Sequence, residues 1–328
     1  MKLSHLSQIS GIPRHTLTAR INSRFSKEEI QRDKSNHITL SPEQCRLTMS
    51  SDLINPSGKI IRVGNLKGGV GKTSISYMLS DVISSIGLSV CIVDFDIQMN
   101  LTSLFLPKEK NRPVFLDAVI NTDQKKDISE IIVKIKEFLS IIPSSLRNSL
   151  IEKELISQSN QHQLHWLNDI CFSYLRKNYD VIILDTPPDL STLNSVTGLC
   201  LNSNDNFIFP VDPDVFAFDG VDLVLNDIRK IRKSYRVKES ENPEMTVLIN
   251  RFDQTVKEDL KALVEAHDRF EDGLSEIIIR KMAKLKEYVK NQIPLDELPR
   301  PKELYKIMNG LLIQVGILKS WGKSSEAE

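Results

Sequence analysis

Hydrophobic positions recur with two different periods along this chain. Ile60-Ile61-Arg62-Val63 is a short, mostly apolar run of the kind that forms a buried strand, and Ile75, Met78, Leu79, Val82 and Ile86 follow at helical spacing. Ser89 to Phe95 and Val181-Ile182-Ile183-Leu184 are further short apolar runs, as expected of parallel strands covered on both faces. Val114 to Ile120 reads as a short helix. Near the end of the chain Tyr305, Met308, Leu311, Leu312, Val315 and Leu318 keep helical spacing, which suits a helix lying over a sheet.

Residues 1–57 carry a pattern of their own. Leu3 to Ser10 predicts one short helix, Gly11-Ile12 a turn, and Pro13 the first position of a second helix. Leu3, Leu6, Ile9, Ile12, Leu17 and Ile21 would pack the two together. Arg14, His15, Thr16, Thr18 and Arg20 would then face outward, as a helix-turn-helix recognition helix requires. An ordinary helical hairpin used for dimerisation fits the same spacing, because Ser10 and Arg20 stand where a helix-turn-helix usually buries apolar groups. Phe25 to Thr39 is polar and charged, as a linker would be. Ser41-Pro42-Glu43-Gln44 reads as a helix start, with Ser41 as N-cap, Pro42 at the first position and Gln44 completing a capping box. Asn55-Pro56-Ser57-Gly58 breaks the pattern again. It divides a small helical region, residues 1–57, from a larger body, residues 58–328.

Between the first strand of that body and its helix lie Lys67-Gly68-Gly69-Val70-Gly71-Lys72-Thr73-Ser74. A strand, a Gly-rich turn and a helix are the context a phosphate-binding loop requires. Glycines let backbone N–H groups close around phosphate oxygens, and the helix N-terminus adds the positive end of its dipole. Lys72 supplies a point charge for the outer phosphates, and the Thr73 hydroxyl is placed to hold Mg²⁺. Carboxylates close two later strands, Asp94 and Asp96 after the run from Ser89 and Asp185 after Val181–Leu184. Strand C-termini are where open α/β sheets bind ligands.

The loop departs from the ordinary G-x-x-x-x-G-K-[ST] pattern, because Leu66 replaces its first glycine and Lys67 follows at once. It resembles the deviant phosphate loop K-G-G-x-G-K-[ST] of the ParA/MinD family of P-loop ATPases. Asp94-Phe95-Asp96-Ile97-Gln98-Met99-Asn100 is similar to that family's D-x-D-x-Q-x-N segment, and Asp185-Thr186-Pro187-Pro188 to its Walker-B end. Leu199 to Phe209 with Pro210-Val211-Asp212-Pro213-Asp214, and Thr246 to Phe252, resemble its later strands, so the likeness covers roughly residues 58–318. The resemblance implies an α/β fold, a P-loop doubly wound and mostly parallel sheet with helices on both faces. It also implies ATP and Mg²⁺ as ligands and an ATP-dependent homodimer in which Lys67 reaches the partner's nucleotide. Asp96 would orient the attacking water, Asp185 would contact the metal, Asp94 would help order the metal site, and Asn250 would touch adenine.

Composition narrows the partners. Forty-three basic and 43 acidic residues leave no net charge, so affinity for an acidic partner must come from local patches. Two basic runs qualify: Arg229, Lys230, Arg232, Lys233, Arg236 and Lys238, and then Arg280, Lys281, Lys284, Lys286 and Lys290. Such patches give sequence-independent, salt-sensitive DNA binding. Four scattered cysteines form no C-x-x-C, which argues for a reducing cytoplasm and against a zinc site or an iron–sulfur reductase. The resemblance therefore implies a cytoplasmic, nucleoid-associated partition ATPase that binds DNA non-specifically in its ATP state, with a ParB-type centromere-binding protein as partner. Residues 1–57 could add operator binding and autorepression. A MinD-like regulator cycling on a membrane is the alternative. It would need the apolar stripe from Tyr305 to Leu318 as a lipid-facing helix, whereas the tail ends acidic at Glu326-Ala327-Glu328.

Overall fold

The computed structural model describes residues 1–328 apart from 51–52, 56–57, 107–111, 120–125, 152, 154–164, 292–301 and 323–328. The chain opens with α1 (Leu3–Ser10) and α2 (Arg14–Arg24). Gly11 stands between them at φ +72°, the left-handed conformation that ends a helix at low steric cost. Pro13 caps α2 from one place earlier than the sequence suggested. The stretch expected to be a linker contains an antiparallel ribbon instead, β1 (Gln31–Arg32) against β2 (Ile38–Thr39). Its turn is built by Asp33, whose Oδ1 accepts from the amides of Ser35 and His37 at 2.9 Å each. Such side-chain-to-backbone turns leave no hydrophobic period to read. Helix α3 (Pro42–Met49) has its capping box as expected: the Gln44 amide donates to Ser41 Oγ at 3.1 Å, and the Ser41 amide to Gln44 Oε1 at 3.0 Å.

Strands and helices then alternate. They are β3 (Lys59–Val63), α4 (Lys72–Ser85), β4 (Val90–Asp94), α5 (Asn100–Phe105), α6 (Phe115–Val119), β5 (Val133–Lys136) and β6 (Leu139–Ile142). A π-helical segment, His165–Phe172, runs into α7 (Ser173–Asn178), followed by β7 (Val181–Asp185), α8 (Thr192–Cys200) and β8 (Asn206–Val211). The last elements are α9 (Val215–Ser234), β9 (Glu244–Ile249), α10 (Lys257–Phe270), α11 (Ala283–Asn291) and α12 (Lys302–Gln314). Seven strands form one sheet in the order β5-β6-β4-β7-β3-β8-β9, parallel throughout except for β5. Every residue of β3, β4 and β7 is buried, which is why their sequences run apolar without alternation. Register pairs Val63 with Asp185 and Asp94 with Asp185. The phosphate loop and both carboxylates therefore converge on one edge of the sheet.

One apolar cluster lies on each face. Phe95, Phe172, Phe207, Phe209 and Phe218 anchor one. The other joins Ile75, Met78 and Leu79 of α4 to Tyr305, Met308, Leu311 and Leu312 of α12, and extends into Leu6, Ile9, Leu17, Ile21, Cys45 and Met49. Residues 1–49 and the sheet thus share one apolar cluster. The His5 ring stacks on Tyr305 with centroids 4.7 Å apart, and Asn309 Nδ2 donates to Ile9 O at 2.5 Å. Arg46 joins α3 to the sheet by pairing with Asp180 at 3.0 Å and donating to Gly87 O at 3.2 Å. The apolar tail stripe is therefore core. Among the described residues no helix is long and apolar enough to cross a membrane.

Candidate phosphate and metal site

Gly71, at φ +97°, turns the loop into α4, and Gly69 holds φ +79° just before it. Lys72 is buried, and its Nζ donates to the carbonyls of Asn65 and Lys67 at 3.1 Å each, so it spans the mouth of the loop. Burial lowers its pKa, while Asp185, Asp96 and Asp189 act in the opposite sense. Asn65 braces the loop from below, accepting from the Lys67 amide at 3.1 Å and donating to Pro210 O at 2.8 Å.

Behind the lysine, both oxygens of Asp185 are in use. Thr73 Oγ1 donates to Oδ2 at 2.9 Å and Ser76 Oγ to Oδ1 at 3.0 Å. Asp94 is fully buried and accepts from the Thr102 amide at 2.8 Å, the Thr102 hydroxyl at 2.6 Å and the Asp96 amide at 3.1 Å. It thereby anchors the 96–102 segment, and on the neighbouring strand it lies in register with Asp185. Asp96 is buried too and accepts from the Gln98 amide at 2.9 Å. Burial, then mutual repulsion, pushes the Asp185 carboxyl above the ordinary range, and burial does the same for Asp94. A hydroxyl and a carboxylate are hard oxygen donors that suit Mg²⁺, and a cation beside Asp185 would offset its buried charge. No group of three or more His, Cys, Asp or Glu side chains among the described residues is placed to hold a metal alone.

Lys67 lies on the outer side of the loop, 36% exposed at its side chain. Its Nζ pairs with Asp214 Oδ2 at 2.5 Å, and Asp214 caps α9 by accepting from the Phe216 amide at 2.9 Å. The bond to Lys67 is the first cause of the lowered Asp214 pKa. Asn250 is buried and donates from Nδ2 to Val70 O at 2.7 Å, holding the loop through its backbone. It also lines an open cleft of about 650 Å³ with Gly71, Ser74, Arg251, Met282 and Leu285. Apolar walls beside a phosphate loop are what a nucleotide base requires.

The nucleic-acid candidates scatter. Arg14 and His15 are exposed on α2, and Thr16 is half-buried. Arg20, expected to face outward, instead donates to the carbonyls of Thr48 at 3.2 Å and Met49 at 2.9 Å. It caps the C-terminus of α3 and lies over the Trp321 ring at 5.2 Å. Arg280 and Lys281 are exposed on the rim of the same cleft, while the side chains of Lys284 and Lys286, in α11, lie outside the described residues. Arg232 is buried and donates to the carbonyls of Gly198, Leu199 and Leu201, so one of the first basic run belongs to the interior. Its spacing from Leu225 and Ile228 was the available signal, since all three fall on one helical face. Asn65, Asp214, Arg251, Met282 and Leu285 had no role in the sequence reading: Asp214 and Arg251 stood only inside strand-end motifs, and the other three have no distinctive spacing.

Residues 58–242 match the AAA domain family model. An uncharacterized protein of Methanocaldococcus jannaschii is 34% identical over 197 residues, covering 58% of this chain and 70% of that protein. The sporulation initiation inhibitor protein Soj of Bacillus subtilis is 29% identical over 256 residues, 76% of this chain and 95% of Soj. Among solved structures, Cyanothece McdA superposes with a TM-score of 0.67 at 19% identity, covering 79% of this chain and 99% of McdA. A putative plasmid partition protein of Borrelia burgdorferi B31 bound to AMPPNP gives 0.62 at 22% identity, covering 78% and 98%. Two lysines flanking the loop glycines, a carboxylate under the loop threonine and a family match over more than half the chain agree: this chain belongs to the AAA-domain family of ParA/MinD-type P-loop ATPases.

Proposed function

We propose that this protein is a ParA-type partition ATPase that pairs around Mg-ATP, holds DNA non-specifically in that state and lets go on hydrolysis. The observation that carries the reading is the pair of lysines on one loop, Lys72 turned across the loop mouth and Lys67 reaching outward to Asp214. Lys72, the loop amides and the Thr73 hydroxyl bind and orient the phosphates. Asp185 fixes the Thr73 hydroxyl, and Asp96 is the carboxylate available to align a water. Thr73 and Asp185 would hold a magnesium ion, which would supply positive charge to offset that of the phosphates. Lys67 leaves Asp214 for the nucleotide of a second copy, which makes dimerisation depend on the γ-phosphate. Turnover by positioning alone is slow until a ParB-type centromere-binding partner improves the geometry.

Arg14 and His15 on α2 are the exposed groups for operator DNA, and the rim cations Arg280 and Lys281 are candidates for non-specific contacts. The likeness to Soj and to a putative plasmid partition protein supports the partition reading. Burial of Tyr305, Met308, Leu311 and Leu312 leaves the membrane-cycling alternative without its lipid-facing stripe. The test is a mobility shift with random-sequence DNA in ATP, ADP and no nucleotide, across a salt series. Binding with ATP alone that weakens steeply with salt is expected, and equal binding in all three states would refute the switch.

A further inference from the structure

Arg62 is an anomaly in β3. It is a charged side chain, 2% exposed, within a central strand; Lys59, the strand's other cation, stands at its start and is 7% exposed. Its Nη1 donates to Asn194 O at 2.8 Å and its Nη2 to Asn194 Oδ1 at 3.0 Å. The guanidinium lies 4.2 Å from the centre of the Phe207 ring, and Nε has no partner. Its hydrogen bonds go to neutral oxygens and to no carboxylate. Burial lowers its pKa to about 9, against a weaker opposing pull from Asp189 and Asp227. A buried charge with no ion pair is costly, which makes its purpose a matter of what it holds in place.

Asn194 supplies that purpose. With Oδ1 committed to Arg62, its Nδ2 faces the other way and donates to Pro187 O at 3.3 Å, Asp189 O at 2.9 Å and Asp189 Oδ1 at 2.6 Å. Those acceptors belong to the segment that begins directly after Asp185. Asp189 is near enough to act on the charge of Lys72. A small cleft lined by Arg62, Asn65, Asp189 and Ser195 separates this network from the brace under the phosphate loop.

We propose that Arg62 is a positioning residue for hydrolysis: through Asn194 it holds the backbone of Pro187 to Asp189 at the pose that the phosphate site requires. It touches no substrate. Its bidentate grip fixes the Asn194 amide in one orientation, and that amide fixes the segment. The inference rests on the ATPase reading above, and its test has one readout that needs no turnover.

Arg62→Met removes the charge and the donors but keeps the length of the side chain. Asn194→Asp keeps an acceptor for Arg62 and removes both donors to the segment. In both variants, affinity for mant-ATP is expected to stay within about twofold of wild type while kcat at saturating Mg-ATP falls about 10- to 100-fold. Hydrogen exchange of the Ser191 amide, which donates to Asp189 Oδ1 at 3.1 Å, should quicken in the apo proteins while β3 and β8 stay protected. Arg62→Lys, with one donor head in place of a fork, should fall between. Wild-type exchange of the Ser191 amide in both variants overturns the inference whatever the protein does with ATP. So does wild-type kcat, or a loss of mant-ATP affinity that matches the loss of kcat. A wild-type protein that binds no mant-ATP would instead remove the ATPase reading.

Discussion

Leu6→Ala is expected to destabilise the whole ATPase and not a detachable N-terminal module. Leu6 is fully buried on α1, in the cluster that contains Tyr305, Met308 and Leu312 of α12 and Met78 of α4. Truncating a buried leucine costs about 2–5 kcal/mol, the lower part applying where neighbours can collapse into the gap. An eight-residue helix lying on α12 can shift partway, so about 3 kcal/mol is the working figure. At about 2 °C per kcal/mol for a chain of this size, that lowers the melting temperature by about 6 °C. Two signals report different places. In a Trp166→Phe background, Trp321, beneath Arg20, follows the junction of the N-terminal helices with the tail, while far-ultraviolet dichroism follows the sheet and its helices. Both should shift together in urea and in a thermal scan. A separate early transition that carries the whole effect, with the main transition unmoved, would refute the shared core and make residues 1–49 an independent unit.

Other consequences are more local. Gly71→Ala would place a Cβ 2.3 Å from Asn250 Nδ2 at φ +97°, so it should lower stability by about 1–3 kcal/mol and abolish mant-ATP binding; normal binding would show that Asn250 yields easily. In metal-free protein the raised Asp94 and Asp185 pKa values favour the protonated fold. Their contribution is complete below the ordinary carboxylate range and is lost as pH rises through the raised values. Asp185→Asn should therefore gain thermal stability over wild type as pH increases in chelator, and a difference that does not vary with pH would mean that Asp185 is ionised at little cost.

Much of the fold was legible because its signals were local and redundant. The strand, loop and helix around Lys72 showed a change of hydrophobic period and a glycine cluster together, and the Ser41–Gln44 box names its own hydrogen bonds. What escaped was set by distant partners. Arg20 and Arg232 look like surface cations in sequence, yet each caps a helix whose carbonyls belong to another segment. Arg62 sits in an apolar strand, and only the approach of Asn194, 132 residues later, shows where its charge goes. The Asp33 turn hid in a polar stretch because it uses side-chain oxygens in place of apolar spacing. Asp214 was read as part of a strand-end motif, and its bond to Lys67 depends on the β3–β8 pairing that places the two loops together.

The most direct test of the proposed switch is sedimentation velocity of wild type and Lys67→Ala in Mg-ATP, in ADP and without nucleotide. Wild type should form a dimer in Mg-ATP alone, and Lys67→Ala should remain monomeric in all three while still binding mant-ATP. A Lys67→Ala dimer as stable as wild type, or a wild-type protein that stays monomeric in Mg-ATP, would contradict a Lys67 that serves the nucleotide of a second copy.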